Sequence, residues 1–208
     1  VLMLGAFALL AAMAHREGTD ERFGRLYVAR ENAPVSVLFA DLQGFTAFSE
    51  RHEPREVAEL LDTLFAAAIP AVEQQGGTVD RLVGDAVFAT FEGGRCEERA
   101  ALAALELQRE TGRLLAARPE WPRFRVGLHV GEANLGVLGT GSGRTFSAIG
   151  DTVNLGSRIE ALAPPGGIAI SAELAAGLEA ASTEPLGTVT VKGREEPVEV
   201  LLLKGLSV

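Results

Sequence analysis

The residues best suited to chemistry lie where two predicted strands end. Val35–Ala40 is a run of apolar and small residues, which is typical of a buried strand, and Asp41 follows it directly. Gly44 then allows the backbone to approach a ligand closely, and the amides after it open a helical pattern that can bind an anion. A carboxylate beside an anion site is the arrangement that a magnesium-bound triphosphate requires.

A second carboxylate, Asp85, falls in a Gly-Asp turn between strands predicted at about 78–83 and 86–91. Two aspartates at adjacent strand ends could hold two divalent ions. The alternative is that Asp41 caps a helix and that Gly84-Asp85 is only a hairpin turn. Either motif alone fits both interpretations equally well, whereas their occurrence in one chain, with the downstream motifs, favours the metal site.

Composition limits the class of protein. The chain has 208 residues, of which 47% are hydrophobic and 23% charged, and this predicts one globular domain with some extension. The net charge of −9 argues against general nucleic-acid binding, which needs a basic surface, but it is compatible with a nucleotide whose charge a metal neutralises. Cys96 is the single cysteine, so no internal disulfide can form, and the reducing cytoplasm is expected.

Residues 1–33 are expected to form a helical segment that precedes the domain. Val1–Ala14 is apolar throughout, but fourteen residues are too few to span a bilayer, which takes about twenty. No basic region precedes this run and no clear cleavage site follows it, so a secretory signal is not indicated. Two interpretations stay open: the cytoplasmic end of a membrane helix, which would tether the domain to a membrane, or a helix that packs on a partner chain. Arg16–Ala33 is charged and predicts a helical connector.

The spacing of apolar residues predicts how helices and strands alternate after residue 34. Helices are expected at Glu53–Gln75, Glu97–Ala117 and Thr152–Leu162. Besides the strands already described, strands are expected at Phe124–Val130, Ala133–Leu138, Ile168–Ser171, Thr188–Val191 and Val198–Leu203, the last two as a closing hairpin. Hairpins among alternating elements favour an α+β sandwich over a doubly wound parallel sheet. The glycine-rich turns match neither GxGxxG nor the P-loop pattern.

Four segments in order carry a likeness to a known family: FADLQGFT (39–46), LVGDAVFATF (82–91), RVGLHVGE (125–132) and IGDTVNLGSRIE (149–160). Together they resemble the catalytic domain of class III nucleotidyl cyclases. The resemblance implies an α+β fold with a ferredoxin-like βαββαβ core and added strands, over residues 34–208. It also implies an enzyme that makes cyclic AMP or cyclic GMP from the triphosphate and releases pyrophosphate. Such enzymes work as head-to-tail homodimers with active sites at the interface.

The resemblance assigns the metal-binding and catalytic residues. Asp41 and Asp85, with the main-chain carbonyl of Leu42, match the ligands of two divalent cations, Mg²⁺ or Mn²⁺. One ion would activate the ribose 3′-hydroxyl and the other would hold the phosphates. Asn154 and Arg158 match the residues that orient the ribose and stabilise the transition state, and their i, i+4 spacing places both on one helix face. The alternative, a helix-start residue and a solvated surface charge, is disfavoured by the surrounding TVNxxSR sequence.

Triphosphate binding is expected from two groups of residues. Gly44, Phe45 and Thr46 form the turn and helix start that follow the first strand. Arg125 and Lys192 match family residues that bind the triphosphate tail, and both carry the positive charge that phosphate oxygens require.

Arg81 and Ser147 stand at the two positions that recognise the base in the family. Adenylate-forming members usually carry Lys at the first and Asp or Thr at the second, and guanylate-forming members carry Glu and Cys. Arg81 can only donate hydrogen bonds, so it suits adenine N1 but lacks the acceptor that guanine N1–H and its 2-amino group require. Ser147 can serve as Thr does, and ATP is therefore the expected substrate. The alternative is that Arg81 pairs with Asp80 or another carboxylate and does not reach the base.

The expected function is an adenylate cyclase that acts in signal transduction, in the cytoplasm or as the cytoplasmic domain of a membrane protein. A guanylate cyclase is one alternative. A catalytically silent domain that binds nucleotide or a partner and signals by dimerising is another. The complete set of Asp41, Asp85, Asn154 and Arg158 disfavours the silent domain, which has no need of all four.

Overall fold

The computed structural model describes residues 33–138, 145–190 and 197–207, without the side chains of residues 33, 81, 136–138 and 145–147. These ranges contain β1 (Ala33–Gln43), α1 (Phe45–Ser49), α2 (Pro54–Glu73), β2 (Thr78–Val83), β3 (Ala86–Glu92), α3 (Cys96–Leu115), β4 (Arg123–Leu138), β5 (Thr145–Ile149), α4 (Asp151–Glu160), β6 (Ile168–Ser171), α5 (Ala172–Ala176), β7 (Ala181–Val189) and β8 (Val198–Leu206). The expected N-terminal helical segment, up to residue 32, lies outside the described residues, as does Lys192.

The strands form one sheet in the order β2-β3-β1-β4-β6-β8-β7, and β5 pairs with β4 beside this path. The first part of the chain runs β1-α2-β2-β3-α3-β4, apart from the short α1, and β1 pairs antiparallel with both β3 and β4. This is a βαββαβ unit with strands β5 to β8 added, so the expected α+β fold with a ferredoxin-like core is confirmed.

Strand β1 lies at the centre of the sheet and is buried on both faces. Leu38, Ala40 and Leu42 pack under α2 and α3, whereas Val35 and Phe39 point to the opposite face, where α4 packs. A strand covered on both faces needs apolar residues at successive positions, which explains the continuous apolar run that precedes Asp41.

Two glycines allow α4 to lie directly on the sheet. A Cβ atom at Gly156 would stand 2.7 Å from Cγ2 of Val37, and one at Gly127 would stand 2.3 Å from the backbone nitrogen of Glu160. Real Cβ contacts are longer than either distance, so any side chain at these positions would push the helix away. The candidate site residues of α4 are therefore held close to β1 and β4.

One strand assignment from the sequence is wrong. The two strands predicted at Phe124–Val130 and Ala133–Leu138 are a single strand, β4. Its first part pairs with β1 as far as Ala133, and its second part pairs with β5, which was not predicted. The pairing with β1 ends at Ala133 and the pairing with β5 begins at Asn134, so Gly131-Glu132 continues the strand instead of turning it. In the part of the chain that the structure describes, no helix has the length and apolar character needed to cross a membrane.

Candidate active site

Asp41 and Arg125 face each other at the end of the β1–β4 pair. The antiparallel register places the two residues directly opposite one another. Nη2 of Arg125 donates a hydrogen bond to Oδ2 of Asp41 at 3.0 Å, and the two side chains are 23% and 19% exposed. Asp41, two residues before the end of β1, is thus half-buried, and its charge is already compensated by one cation.

Asp85 lies in the tight turn between β2 and β3. The positive φ of Gly84, +64°, is available to glycine at little cost and lets two residues close the hairpin. The pKa of Asp85 is raised to about 6, first because burial removes water from its carboxylate and then because Asp41 is negative. Hydrogen bonds from the backbone N–H groups of Asp85 itself and of Leu42, and the charge of Arg125, oppose this rise. Asp41 and Asp85 are therefore close enough to repel each other.

The residues present fit a divalent cation. Two half-buried carboxylates repel each other, and a cation bound between them would remove that repulsion. The described residues contain no group of three or more His, Cys, Asp or Glu that could hold a metal. The site would therefore supply Asp41, Asp85 and a backbone carbonyl such as that of Leu42, and leave the remaining positions to phosphate or water. Such sites suit Mg²⁺ or Mn²⁺, which take oxygen ligands and keep part of their water shell.

Glu160, which the sequence analysis did not select, completes the charged cluster. Its carboxylate Oε1 pairs with Nε of Arg125, and the residue is only 8% exposed. The pKa of Glu160 is raised to about 7, chiefly by burial, while Arg125 opposes the rise and Asp41 and Asp85 add to it. We call Asp41, Asp85, Arg125 and Glu160 the carboxylate–arginine cluster.

The sequence did contain a signal for Glu160. The residue follows Val153 and Gly156 at helical spacing, and both of these lie on the buried face of α4. A carboxylate at a position where the helix otherwise presents apolar or small residues needs a buried partner, because an isolated buried charge is costly. That pattern alone would have marked Glu160 as a residue paired inside the fold.

The expected phosphate-binding turn follows β1 directly. Gly44 has φ +86° and precedes α1, a helix of five residues. Phe45 is partly buried against the core and Thr46 is exposed. The structure thus places the turn next to Asp41, and the binding of phosphate by its residues stays a prediction.

Asn154 and Arg158 lie on α4, as predicted, and neither belongs to the carboxylate–arginine cluster. Asn154 is half-buried and Arg158 is exposed. Nη1 of Arg158 donates a hydrogen bond to the backbone carbonyl of Thr190, at 3.2 Å. Among the hydrogen bonds and ion pairs of the described residues, none joins these two side chains to Asp41 or Asp85.

The two base-recognition candidates lie on strands that approach each other without pairing. Arg81 belongs to β2 and Ser147 to β5, and these strands approach each other. Both side chains lie outside the described residues, so their role in base recognition stays a prediction, as does that of Lys192 in binding the triphosphate.

Known proteins share both the sequence and the fold. The sequence profile described as "Adenylate and Guanylate cyclase catalytic domain" matches residues 27–205. An adenylate cyclase of Anabaena cylindrica is 31% identical over 82% of this chain, which spans only 36% of that protein's length. The structure of the adenylyl cyclase CyaB from P. aeruginosa has a TM-score of 0.77 and 25% identity, over 85% of this chain and 96% of the other. That of the guanylyl cyclase Cya2 has a TM-score of 0.75 and 26% identity, over 86% and 95%. The chain therefore belongs to the class III adenylate and guanylate cyclase family.

Proposed function

We propose that this domain is an adenylate cyclase that converts ATP to 3′,5′-cyclic AMP and pyrophosphate. The observation that carries the proposal is the pair of carboxylates near the end of β1 and in the β2–β3 hairpin, where burial and then the charge of Asp41 raise the pKa of Asp85. Two close carboxylates are what a two-metal phosphoryl-transfer site requires.

The roles of the residues follow from their chemistry. Asp41, Asp85 and the carbonyl of Leu42 would hold two divalent cations, which when bound lower the pKa of a hydroxyl and stabilise charge on phosphate oxygens. Arg125 would bind the triphosphate tail, together with Lys192. The 3′-hydroxyl oxygen then attacks the α-phosphorus in line, and pyrophosphate leaves.

Asn154 and Arg158 would complete the site of a second copy of the chain. Asn154 orients the ribose, and Arg158 opposes the negative charge that develops on the α-phosphate. Support comes from the hydrogen bond of Arg158, which goes to the carbonyl of Thr190 and not to the carboxylate–arginine cluster. In a head-to-tail homodimer, each active site would take its carboxylates from one protomer and Asn154 and Arg158 from the other.

ATP is the proposed substrate because of the two base-recognition positions. Arg81 offers only donors, which adenine N1 accepts, and Ser147 can donate or accept. A guanylate cyclase is the second candidate, since the fold is as similar to that of the guanylyl cyclase Cya2 as to that of an adenylyl cyclase.

A cyclic-nucleotide assay tests the proposal. The chain is incubated with ATP or GTP, each with Mg²⁺ or Mn²⁺, and the products are separated by chromatography. We expect cyclic AMP to form faster than cyclic GMP, and a chelator to stop the reaction. Preferential formation of cyclic GMP would identify a guanylate cyclase. Absence of both products under all four conditions would favour the silent signalling domain.

A further inference from the structure

The buried ion pair between Arg125 and Glu160 has no role in the function proposed so far. Arg125 uses two different nitrogens for its two partners: Nη2 contacts Asp41, and Nε contacts Glu160. The Glu160 side chain is 10% exposed, compared with 19% for that of Asp41. Glu160 is therefore the more deeply buried of the two carboxylates that contact Arg125, and Asp41 is the more exposed one.

The position of Glu160 is fixed by the backbone. Glu160 is the last residue of α4, and a Cβ atom at Gly127 on β4 would lie within 2.5 Å of its backbone nitrogen, Cα and Cβ atoms. Helix and strand thus touch at this point, and Arg125 stands two residues before Gly127 on the same strand. The backbone of Glu160 therefore cannot move away from β4 without separating α4 from the sheet.

Stability alone does not account for the pair. Burial raises the pKa of Glu160 to about 7, with Arg125 opposing the rise and the carboxylates of Asp41 and Asp85 adding to it, so the charged form is costly here. A buried ion pair often stabilises a fold no more than apolar residues of similar volume would. A charged residue kept at such a position points to a function of the charge.

The two contacts of Arg125 have different consequences for a substrate site. Asp41 is a proposed metal ligand, and a guanidinium that stays on its carboxylate competes with the cation for the same oxygens. A cation that takes these oxygens would therefore displace Nη2 of Arg125, which could then bind phosphate oxygens. A second carboxylate that contacts Nε would keep the Arg125 side chain in position while its Nη2 end changes partner.

We propose that Glu160 is a positioning residue that holds Nε of Arg125 while the Nη2 end of the guanidinium changes its partner from Asp41 to the triphosphate. The inference rests on the proposed function, in that Arg125 binds the triphosphate tail. Glu160 itself does not touch the substrate. Its effect is to keep the guanidinium oriented, because the buried ion pair at Nε restricts how far the side chain can move.

The test is a comparison of nucleotide binding in Glu160→Gln and in the unaltered chain. Glutamine keeps the size and the acceptor oxygen but removes the charge. The probe is 3′-deoxy-ATP with Mg²⁺, which lacks the attacking hydroxyl, so calorimetry measures binding without turnover. We expect the dissociation constant to rise about tenfold, in line with the effect of losing a supporting partner behind a binding residue. With ATP, KM should rise by a similar factor while kcat changes little.

A matched control separates this effect from the general loss of an ion pair. Glu59 on α2 pairs with Arg118 at 3.2 Å, on the opposite face of the sheet from α4. Glu59→Gln also removes a glutamate–arginine ion pair, here an exposed one, and should leave the dissociation constant for 3′-deoxy-ATP unchanged. Thermal unfolding of each variant shows whether the fold is retained.

Double substitution shows whether Glu160 acts through Arg125. Arg125→Gln alone should weaken binding, and adding Glu160→Gln to it should weaken binding no further, because no guanidinium remains to be positioned. The double variant leaves no unpaired carboxylate at position 160, so we expect it to fold and to serve as the reference for the two single variants. Additive losses would overturn the positioning role, as would an unchanged dissociation constant for Glu160→Gln. If the unaltered chain binds no 3′-deoxy-ATP, the proposed function itself fails, and the role of Glu160 fails with it.

Discussion

Replacing Asp85 by asparagine should make the metal-free protein more stable at pH 8, even though it removes a proposed metal ligand. The carboxylate of Asp85 is half-buried and repelled by Asp41, which is why its pKa rises from 3.8 to about 6. Asparagine has nearly the same shape, and its side-chain oxygen can still accept the hydrogen bonds from the backbone N–H groups of Asp85's own position and of Leu42. The variant therefore loses the charge and keeps the contacts.

The size of the effect follows from the change in pKa. A rise from 3.8 to about 6 corresponds to about 3 kcal/mol in favour of the protonated form. Because the side chain is partly exposed and solvent screens its charge, we expect on the order of 1–2 kcal/mol in the free energy of unfolding. The folded pKa lies above the unfolded one, so the folded state binds the proton more tightly. Stability is thus lost as the pH rises from about 4 to about 6, and the whole penalty is present above that window.

Urea unfolding in the presence of a chelator measures this difference. At pH 8, Asp85→Asn should have the higher free energy of unfolding, and the gap should close as the pH falls towards 4. Asp62→Asn, on the exposed side of α2, is the matched control and should change stability little at either pH. Added Mg²⁺ should stabilise the unaltered chain but not Asp85→Asn, because only the former has the complete ligand set. An Asp85→Asn protein less stable than the unaltered chain at pH 8 without metal would refute the reasoning.

Three further results are expected. Asp41→Ala and Arg158→Ala proteins, each nearly inactive alone, should recover roughly a quarter of the unaltered activity when mixed, because half of the dimers then contain one intact site of two. A mixture that stays inactive although dimers exchange would place both residues in one site of one chain. The double change Arg81→Glu with Ser147→Cys should raise kcat/KM for GTP relative to ATP, and an unchanged ratio would remove both residues from the base site. Gly127→Ala should lower the free energy of unfolding by about 2 kcal/mol in urea titrations, since its Cβ atom would overlap the backbone of α4. An unchanged free energy of unfolding would contradict the close packing of that helix.

The elements with strong local patterns could be predicted from the sequence. Strand β1 is apolar at successive positions because both of its faces are covered, and α2 and α3 carry apolar residues at helical spacing. Strand β4 was divided in error, because its length is set by its partners β1 and β5 and not by its own residues. The tight hairpin that contains Asp85 was predicted correctly, because Gly84 adopts the positive φ that such a turn requires.

Within the site, the carboxylates could be predicted and their neighbours only in part. Asp41 and Asp85 each follow a local signal, a strand end or a glycine turn. The contact between Asp41 and Arg125 joins residues 84 positions apart and depends on the register of two strands. The pairing of Arg125 with Glu160 depends in addition on how closely α4 approaches the sheet, which Gly127 determines from a different element. Such contacts are set by the tertiary structure, and no spacing within one segment encodes them.

Helix α4 has two functional sides in the arrangement proposed here. Its inner side ends in Glu160, which holds Arg125 in the site of its own chain, and its outer side carries Arg158, which would serve the site of the partner. A defect in Asp41 would disable one of the sites to which a protomer contributes. A shift of α4, as expected from a side chain at Gly127, would instead disturb Glu160 in one site and Arg158 in the other. The close seating of this helix on the sheet is therefore a requirement of both sites, and it explains why glycines stand where α4 meets β1 and β4.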